Sequence, residues 1–405
     1  MLGWEFPPHN SGGLGVACLG LTQALAEHNI DLTFVLPKKI DVVRNKALKI
    51  LFANVPNISF EGIDTGLAGY ISSSEYVLRR EEQDNPLYRR SLLEEVRRYG
   101  VLAAKLALGR DIDIIHAHDW LSYPAGVAVK KVSGKPLIVH VHATAFDHGG
   151  GEHADPEIYR IEKEGMDAAD AVITVSGFTK DIVVNKYGID PNKVRVVHNG
   201  VFEADPVKSN GGSLLKLKEA GNHIVLYLGR IALMKGVDHF LNAAKRVLQY
   251  QPNTYFVIAG TGDMEGQLLR QAADLGISDK VLFHMGKYVG GQDRADLLAA
   301  ADLFVMPSVS EPFGIVPLEA LLEAGTPVLI SKQSGVSEVM KHALKVDFWD
   351  VDEMANKIVA VLRNPSLHDQ LSYMGVTEAH GVTWEKAAEK CMQIYHEIIS
   401  VFKHT

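Results

Sequence analysis

The segment Glu311-Pro312-Phe313-Gly314-Ile315-Val316-Pro317-Leu318-Glu319-Ala320 sets two glutamates eight positions apart around a glycine and two prolines. Pro317 suits the first turn of a helix, where its missing N–H removes no helical bond. Glu319 then falls in that turn and Glu311 in the loop before it. One carboxylate can reach a sugar while the other accepts both hydroxyls of a ribose, in charge-assisted hydrogen bonds that contribute about 1.5–3 kcal/mol each. The N–H groups of Gly314, Ile315 and Val316, beside Phe313, would face the same ligand. A first-turn glutamate also complements the helix dipole with no ligand, and that is the structural alternative for Glu319. Glu311 has no comparable alternative.

Gly229-Arg230 and Lys235-Gly236 follow the first strand of the second half, between a strand end and a helix start, where a pyrophosphate would lie. A unit charge pair at ~4 Å is worth about 4 kcal/mol at an effective dielectric of 20, so two cations could do what a metal does elsewhere. Their structural alternative is a surface arginine and a helix-flanking lysine. Near the start, Asn10-Ser11-Gly12-Gly13-Leu14-Gly15 enters a helix whose terminus could receive a phosphate or form only a tight turn. It is not a dinucleotide fingerprint, because the glycine spacing differs and the next strand ends at Leu36-Pro37 without an acidic residue.

His116-Ala117-His118-Asp119-Trp120 and His140-Val141-His142 end two further strands. Residues two apart in a strand share a face, so a paired-histidine metal site is a rival. The carboxylates to complete it are poorly placed: Asp111 and Asp113 precede their strand, and Asp350-Val351-Asp352 reads as a helix start. The expectation is no metal and no cofactor, with His116 and His140 packed and His118 beside the crevice as the functional histidine.

These groups need a scaffold. Strands are expected at Leu32–Leu36, Ile112–Ala117, Leu137–Val141, Ala171–Val175 and Val194–Val197, then at Ile224–Leu228, Tyr255–Ala259, Val281–His284, Leu303–Met306 and Pro327–Ile330. Most are continuously apolar, as suits strands buried on both faces of a parallel sheet. Amphipathic helices lie between them; Leu14, Cys18, Leu21 and Leu25 share one face, and Val237, Phe240, Leu241, Ala244 and Val247 another. Such alternation predicts an α/β fold of two doubly wound domains facing a cleft. The boundaries read as 1–205, 214–382 and a final amphipathic helix in 383–405, which carries Trp384 to Phe402 on one stripe, is capped by Thr383 and could return to the first domain. Phe202–Ser213 is the linker, with a strand following at Ile224. The first strand, Met1-Leu2-Gly3, is short for a central position; either upstream residues extend it or the sheet tolerates it.

The 405 residues carry 47% hydrophobic and 22% charged side chains and a net charge of −8, which excludes a disordered chain and offers no basic stripe for nucleic acid. Two cysteines make no disulfide framework, no apolar run approaches the ~20 residues of a membrane span, and prolines come too early for a signal peptide. A reducing cytoplasm is the expected location.

GGLGV, HAHDW, GR with a following KG, and EPFGIVPLE together resemble the retaining glycosyltransferases of the GT-B fold, family 4, including the glycogen/starch synthase branch. The resemblance implies that Glu311 contacts the donor sugar and Glu319 the nucleotide ribose. It further implies that Arg230 and Lys235 hold the diphosphate beside Gly13, and that His118 lies near the transferred sugar. The implied partners are a UDP- or ADP-sugar donor and a carbohydrate or other hydroxyl acceptor, with retention at the anomeric centre and no metal. The lysine common two residues before GGL in glycogen synthases is absent here, where Asn10 and Ser11 precede Gly12-Gly13-Leu14. The acceptor would meet first-half loops such as 145–156, and the base the region 284–288. A non-catalytic sugar-nucleotide binder and a histidine-metal hydrolase are the alternatives.

Overall fold

Runs such as Leu137–Val141 and Leu303–Met306 carry apolar side chains on both faces, so each becomes a central strand that helices must cover on both sides. In the computed structural model, which describes residues 1–7, 13–28, 30–37, 48–52, 86–203, 213–286 and 289–403, every strand pairing within the named sheets is parallel. The first domain contains β1 (Leu32–Leu36), β2 (Leu48–Phe52), β3 (Ile115–His118), β4 (Leu137–Val141), β5 (Ala171–Thr174) and β6 (Val194–Val196). Its pairs run β1-β2 and β3-β4-β5-β6. Leu2 joins the two groups: its N–H donates to the His116 carbonyl (2.8 Å), its carbonyl accepts from His118 N (2.9 Å), and it bridges Val35 on the other side.

The second domain contains β7 (His223–Leu228), β8 (Thr254–Gly260), β9 (Val281–Met285), β10 (Leu303–Met306), β11 (Val328–Ser331) and β12 (Leu344–Val346), in the order β12-β11-β10-β7-β8-β9. That order reverses between β7 and β10, and ligands of open α/β sheets bind at the carboxyl ends beside such a reversal. Most of the expected strands form with ends shifted by a few residues. β2 and β12 were not anticipated. Ser213, expected to close the linker, instead opens a helix, Ser213–Glu219; residues 204–212 of that linker lie outside the described residues.

The helix Trp384–Lys403 packs on the first domain, against the helix Gly13–Ala26. Trp384, Ala388, Cys391, Ile394 and Tyr395 are buried there, whereas Phe402, placed on the same stripe by periodicity, is exposed. Gly20 makes the seat: a Cβ there would lie 2.2 Å from the Trp384 ring. Before this helix, Val201 pairs with Thr383, so chain from both domains meets beside the crossing.

Candidate active site

The loop from Ser308 to Ile315 leaves the carboxyl end of β10 and re-enters as the helix Val316–Ala324, with Pro317 and Glu319 in its first turn. Glu311 is fixed on both sides, its N–H donating to Gln333 O and its carbonyl accepting from Gly335 N, each at 3.0 Å. Its side chain is nearly buried and meets two donors at Oε2: Lys235 Nζ at 2.5 Å and Ser308 Oγ at 3.1 Å. Lys235 ends a single 3-10 turn, Leu233–Lys235. Gly236 follows with φ +62°, and a Cβ there would lie 2.1 Å from the Pro307 carbonyl, so only glycine lets the turn approach this loop. Gly314 sits at φ +94° against Met306 and Glu311 for the same reason.

Together with residues of the first domain these segments enclose a cleft of about 430 Å³. Gly13, Arg230, Lys235, Glu311, Phe313, Gly314, Ile315, Val316 and Glu319 all line it, so nine of the ten anticipated site residues meet on one surface. Asn10, Ser11 and Gly12 lie outside the described residues, as do Lys287 and Tyr288 of the expected base region; Val289 and Arg294 stand in the wall beyond it. Arg294, which no motif singled out, has Nη1 at 3.1 Å from Glu319 Oε2 and also pairs with Glu323.

His118 is the exception. It is fully buried and does not line the cleft; His142 does. The cause is register. His118 pairs with His140 across β3 and β4, and β3 stops there, while β4 continues one residue further, to Val141, and delivers His142 just beyond its carboxyl end. His118 supports it from behind, with its Nδ1 3.0 Å from His142 Nε2. Asp119, turned into the left-handed region at φ +57°, accepts from His142 N at 2.7 Å through Oδ1 and also lines the cleft. It is the one described non-glycine residue with positive φ, and such strain concentrates at functional sites. The signal for His142 was present in the sequence: ligands gather beyond strand carboxyl ends, and His142 is the later of the two histidines.

The four histidines form a stacked block, His116 on His118 (ring centroids 4.3 Å apart) and His140 on His142 (4.2 Å). Tyr395 from the last helix closes it, its hydroxyl 2.6 Å from His116 Nδ1. Burial holds the His142 pKa down to about 3 and pushes the other three well below their usual range, so all four rings are neutral at pH 7. Nitrogens of His116, His118 and His140 lie within 4.8 Å of one another, a spacing that invites a metal. Imidazole lone pairs lie in the ring plane, however, and face-to-face rings direct them side by side. Among the described residues no carboxylate joins the group.

Contacts between the domains fasten the cleft. Ser310 Oγ donates to Asp147 Oδ1 at 2.5 Å, and Ser176 Oγ donates to the Pro312 carbonyl at 2.6 Å. Glu338 accepts from the N–H groups of Gly177 (2.9 Å) and Phe178 (2.7 Å), at the start of the helix Gly177–Tyr187, and meets His198 Nε2 at 2.8 Å. The short helix Ala145–His148, expected to face an acceptor, brings His148 into the cleft wall.

The family model described as glycosyl transferases group 1 matches residues 216–376, and that described as glycosyltransferase family 4 matches residues 11–203. A D-inositol 3-phosphate glycosyltransferase of Thermobifida fusca is 30% identical over 74% of this chain and 73% of its own length. A glycogen synthase of Mycobacterium tuberculosis is 26% identical over 98% and 93%. The structure of HepE from Anabaena in complex with UDP-glucose superposes with a TM-score of 0.68 at 17% identity, covering 98% of this chain and 99% of that one.

Proposed function

The chain belongs to glycosyltransferase family 4 of the GT-B fold, and on that premise we propose that it moves a glucose-type sugar, with retention, from a UDP- or ADP-sugar to a hydroxyl of a carbohydrate or other acceptor, without a metal. One observation carries the proposal: Arg230, Lys235, Glu311 and Glu319 meet on one cleft wall, with Lys235 directly on Glu311. Glucose and uridine diphosphate have a precedent in the ligand of HepE, and a glucan acceptor in the name of the mycobacterial relative.

In this reading Arg230 and Lys235 take the charge that grows on the leaving diphosphate, as preorganised donors in a site shielded from water. Glu319 accepts from the ribose hydroxyls. Glu311, pinned by its backbone on both sides, orients the sugar against the N–H groups of Gly314, Ile315 and Val316. His142, a neutral ring, offers the sugar a hydrogen bond from the first domain. The departing phosphate oxygen removes the acceptor proton on the same face, so no carboxylate has to act as a base. The Glu311–Lys235 pairing also differs from the two opposed carboxylates of glycoside hydrolases. Contacts such as Asp147 with Ser310 close the domains over the donor and limit its hydrolysis. Among the described residues no helix is long and apolar enough to cross a membrane. The buried thiols of Cys18 and Cys391 fit the proposed cytoplasmic location.

A panel of UDP-, ADP- and GDP-sugars, assayed with EDTA for hydrolysis and for transfer to glucans, tests this directly. Transfer from a UDP- or ADP-sugar with an α-linked product supports it. An inverted product, or activity only with added divalent cation, contradicts it. Nucleotide binding by the wild-type protein with no product from any acceptor would favour the binding-only alternative.

A further inference from the structure

We propose that Arg294 is a positioning residue that sets the Glu319 carboxylate for the ribose, so that the site recognises the ribose diol as well as the diphosphate. The inference rests on Glu319 being the ribose ligand. Glu319 and Glu323 lie one turn apart on the helix Val316–Ala324, and like charges at that spacing repel. Glu323 is only 7% exposed, too buried to hold an unpaired charge without penalty. Arg294, from the neighbouring helix Gly291–Ala300, spans both: Nη1 is 3.1 Å from Glu319 Oε2, and Nη2 pairs with Glu323 Oε1.

A planar guanidinium can bond two carboxylates at once through separate nitrogens, whereas a lysine ammonium is a single point charge on a flexible stem. The pairing engages Oε2 of Glu319. It leaves Oε1 and the remaining lone pairs for a ligand, since a carboxylate has about four acceptor positions. Both Arg294 and Glu319 line the cleft, so the clamp sits at the ligand and not behind it. Glu323, from the buried side, stops the arginine from swinging out and taking Glu319 with it.

The test compares affinities for UDP and ADP with those for their 2′-deoxy and 3′-deoxy forms, by titration calorimetry. Wild type should prefer the ribose forms by about 10- to 100-fold, the range of a lost charge-assisted hydrogen bond. In Arg294→Lys the preference should shrink to within about threefold of unity, while affinity for inorganic pyrophosphate and the melting temperature stay near wild type. The double variant Arg294→Gln/Glu323→Gln, which leaves no buried unpaired charge, should also lose the preference. A folded variant of either kind that keeps the full ribose preference overturns the proposal. Wild type showing no ribose preference overturns the reading of Glu319 and the proposal together, and does so before any Arg294 variant is made.

Discussion

Lys235 Nζ stands 2.5 Å from Glu311 Oε2, although the two residues lie 76 positions apart and belong to different strand-to-helix connections. The turn that carries Lys235 is tied to the loop that carries Glu311 through the Met234 carbonyl, which accepts from Val309 N at 2.8 Å. The group proposed for the diphosphate and the group proposed for the sugar are therefore one unit, and a change in either moves both.

Lys235→Ala removes the cation and leaves the Ser308 hydroxyl donating to Glu311. Transfer should fall by at least about 100-fold, the scale for loss of one preorganised charge-stabilising group, while the circular dichroism spectrum is retained. Steady-state kinetics beside a thermal melt check this; near-normal turnover in a folded variant would remove the diphosphate role.

His142 and His118 separate contact from support. His142→Ala should reduce kcat by about 100-fold or more, since its ring is the histidine of the block on the cleft wall. His118→Phe keeps a stacked ring but drops the bond to His142 Nε2, so its effect should be smaller, about tenfold, because it acts only through His142. Equal losses in both, measured as kcat at saturating donor, would contradict this division.

Acid should destabilise the first domain early. The buried histidines have pKa values below that of a histidine in the unfolded chain, so the unfolded state binds more protons as pH falls below about 6.5. Their contribution is complete above that pH and is lost progressively on acidification toward about 3, the value for His142. The slope is about 1.4 kcal/mol per pH unit for each group. Melting temperature followed from pH 7.5 to 5 should drop steeply; a flat profile would mean the block is hydrated or already charged.

Gly314→Ala tests the loop geometry. At φ +94° a side chain is strained, and the new Cβ would lie 2.9 Å from Met306 sulfur and 3.1 Å from Glu311 Cγ. The strain is about 1–3 kcal/mol, and relieving it must shift Glu311. Activity should therefore fall more than stability, by at least tenfold, and the two are read from kinetics and a denaturant melt of one preparation.

The fold was legible wherever burial on both faces left a continuous apolar run: Leu137–Val141 and Leu303–Met306 form with the bounds their sequence suggests. β12, three residues including Lys345, carries too short a signal to distinguish from a loop. The gathering of candidate residues on one cleft was legible where chemistry and spacing coincide, as in Glu311 with Glu319. It was not legible at His118, because the choice between two histidine pairs depends on how far each strand runs past its neighbour, and periodicity within one strand does not set that. Arg294, in the polar segment Gly291–Asp296, looks like an ordinary solvated helix face until tertiary packing places it between two glutamates.

The most direct test of the central claim is calorimetric titration of wild type and Lys235→Ala with UDP-glucose and ADP-glucose in EDTA. One of the two donors should bind wild type in EDTA with an affinity that added magnesium does not change, and the variant should bind it at least about 100-fold more weakly. Binding that needs a divalent cation, or that survives the loss of Lys235 undiminished, would contradict a cleft in which Arg230 and Lys235 neutralise the diphosphate.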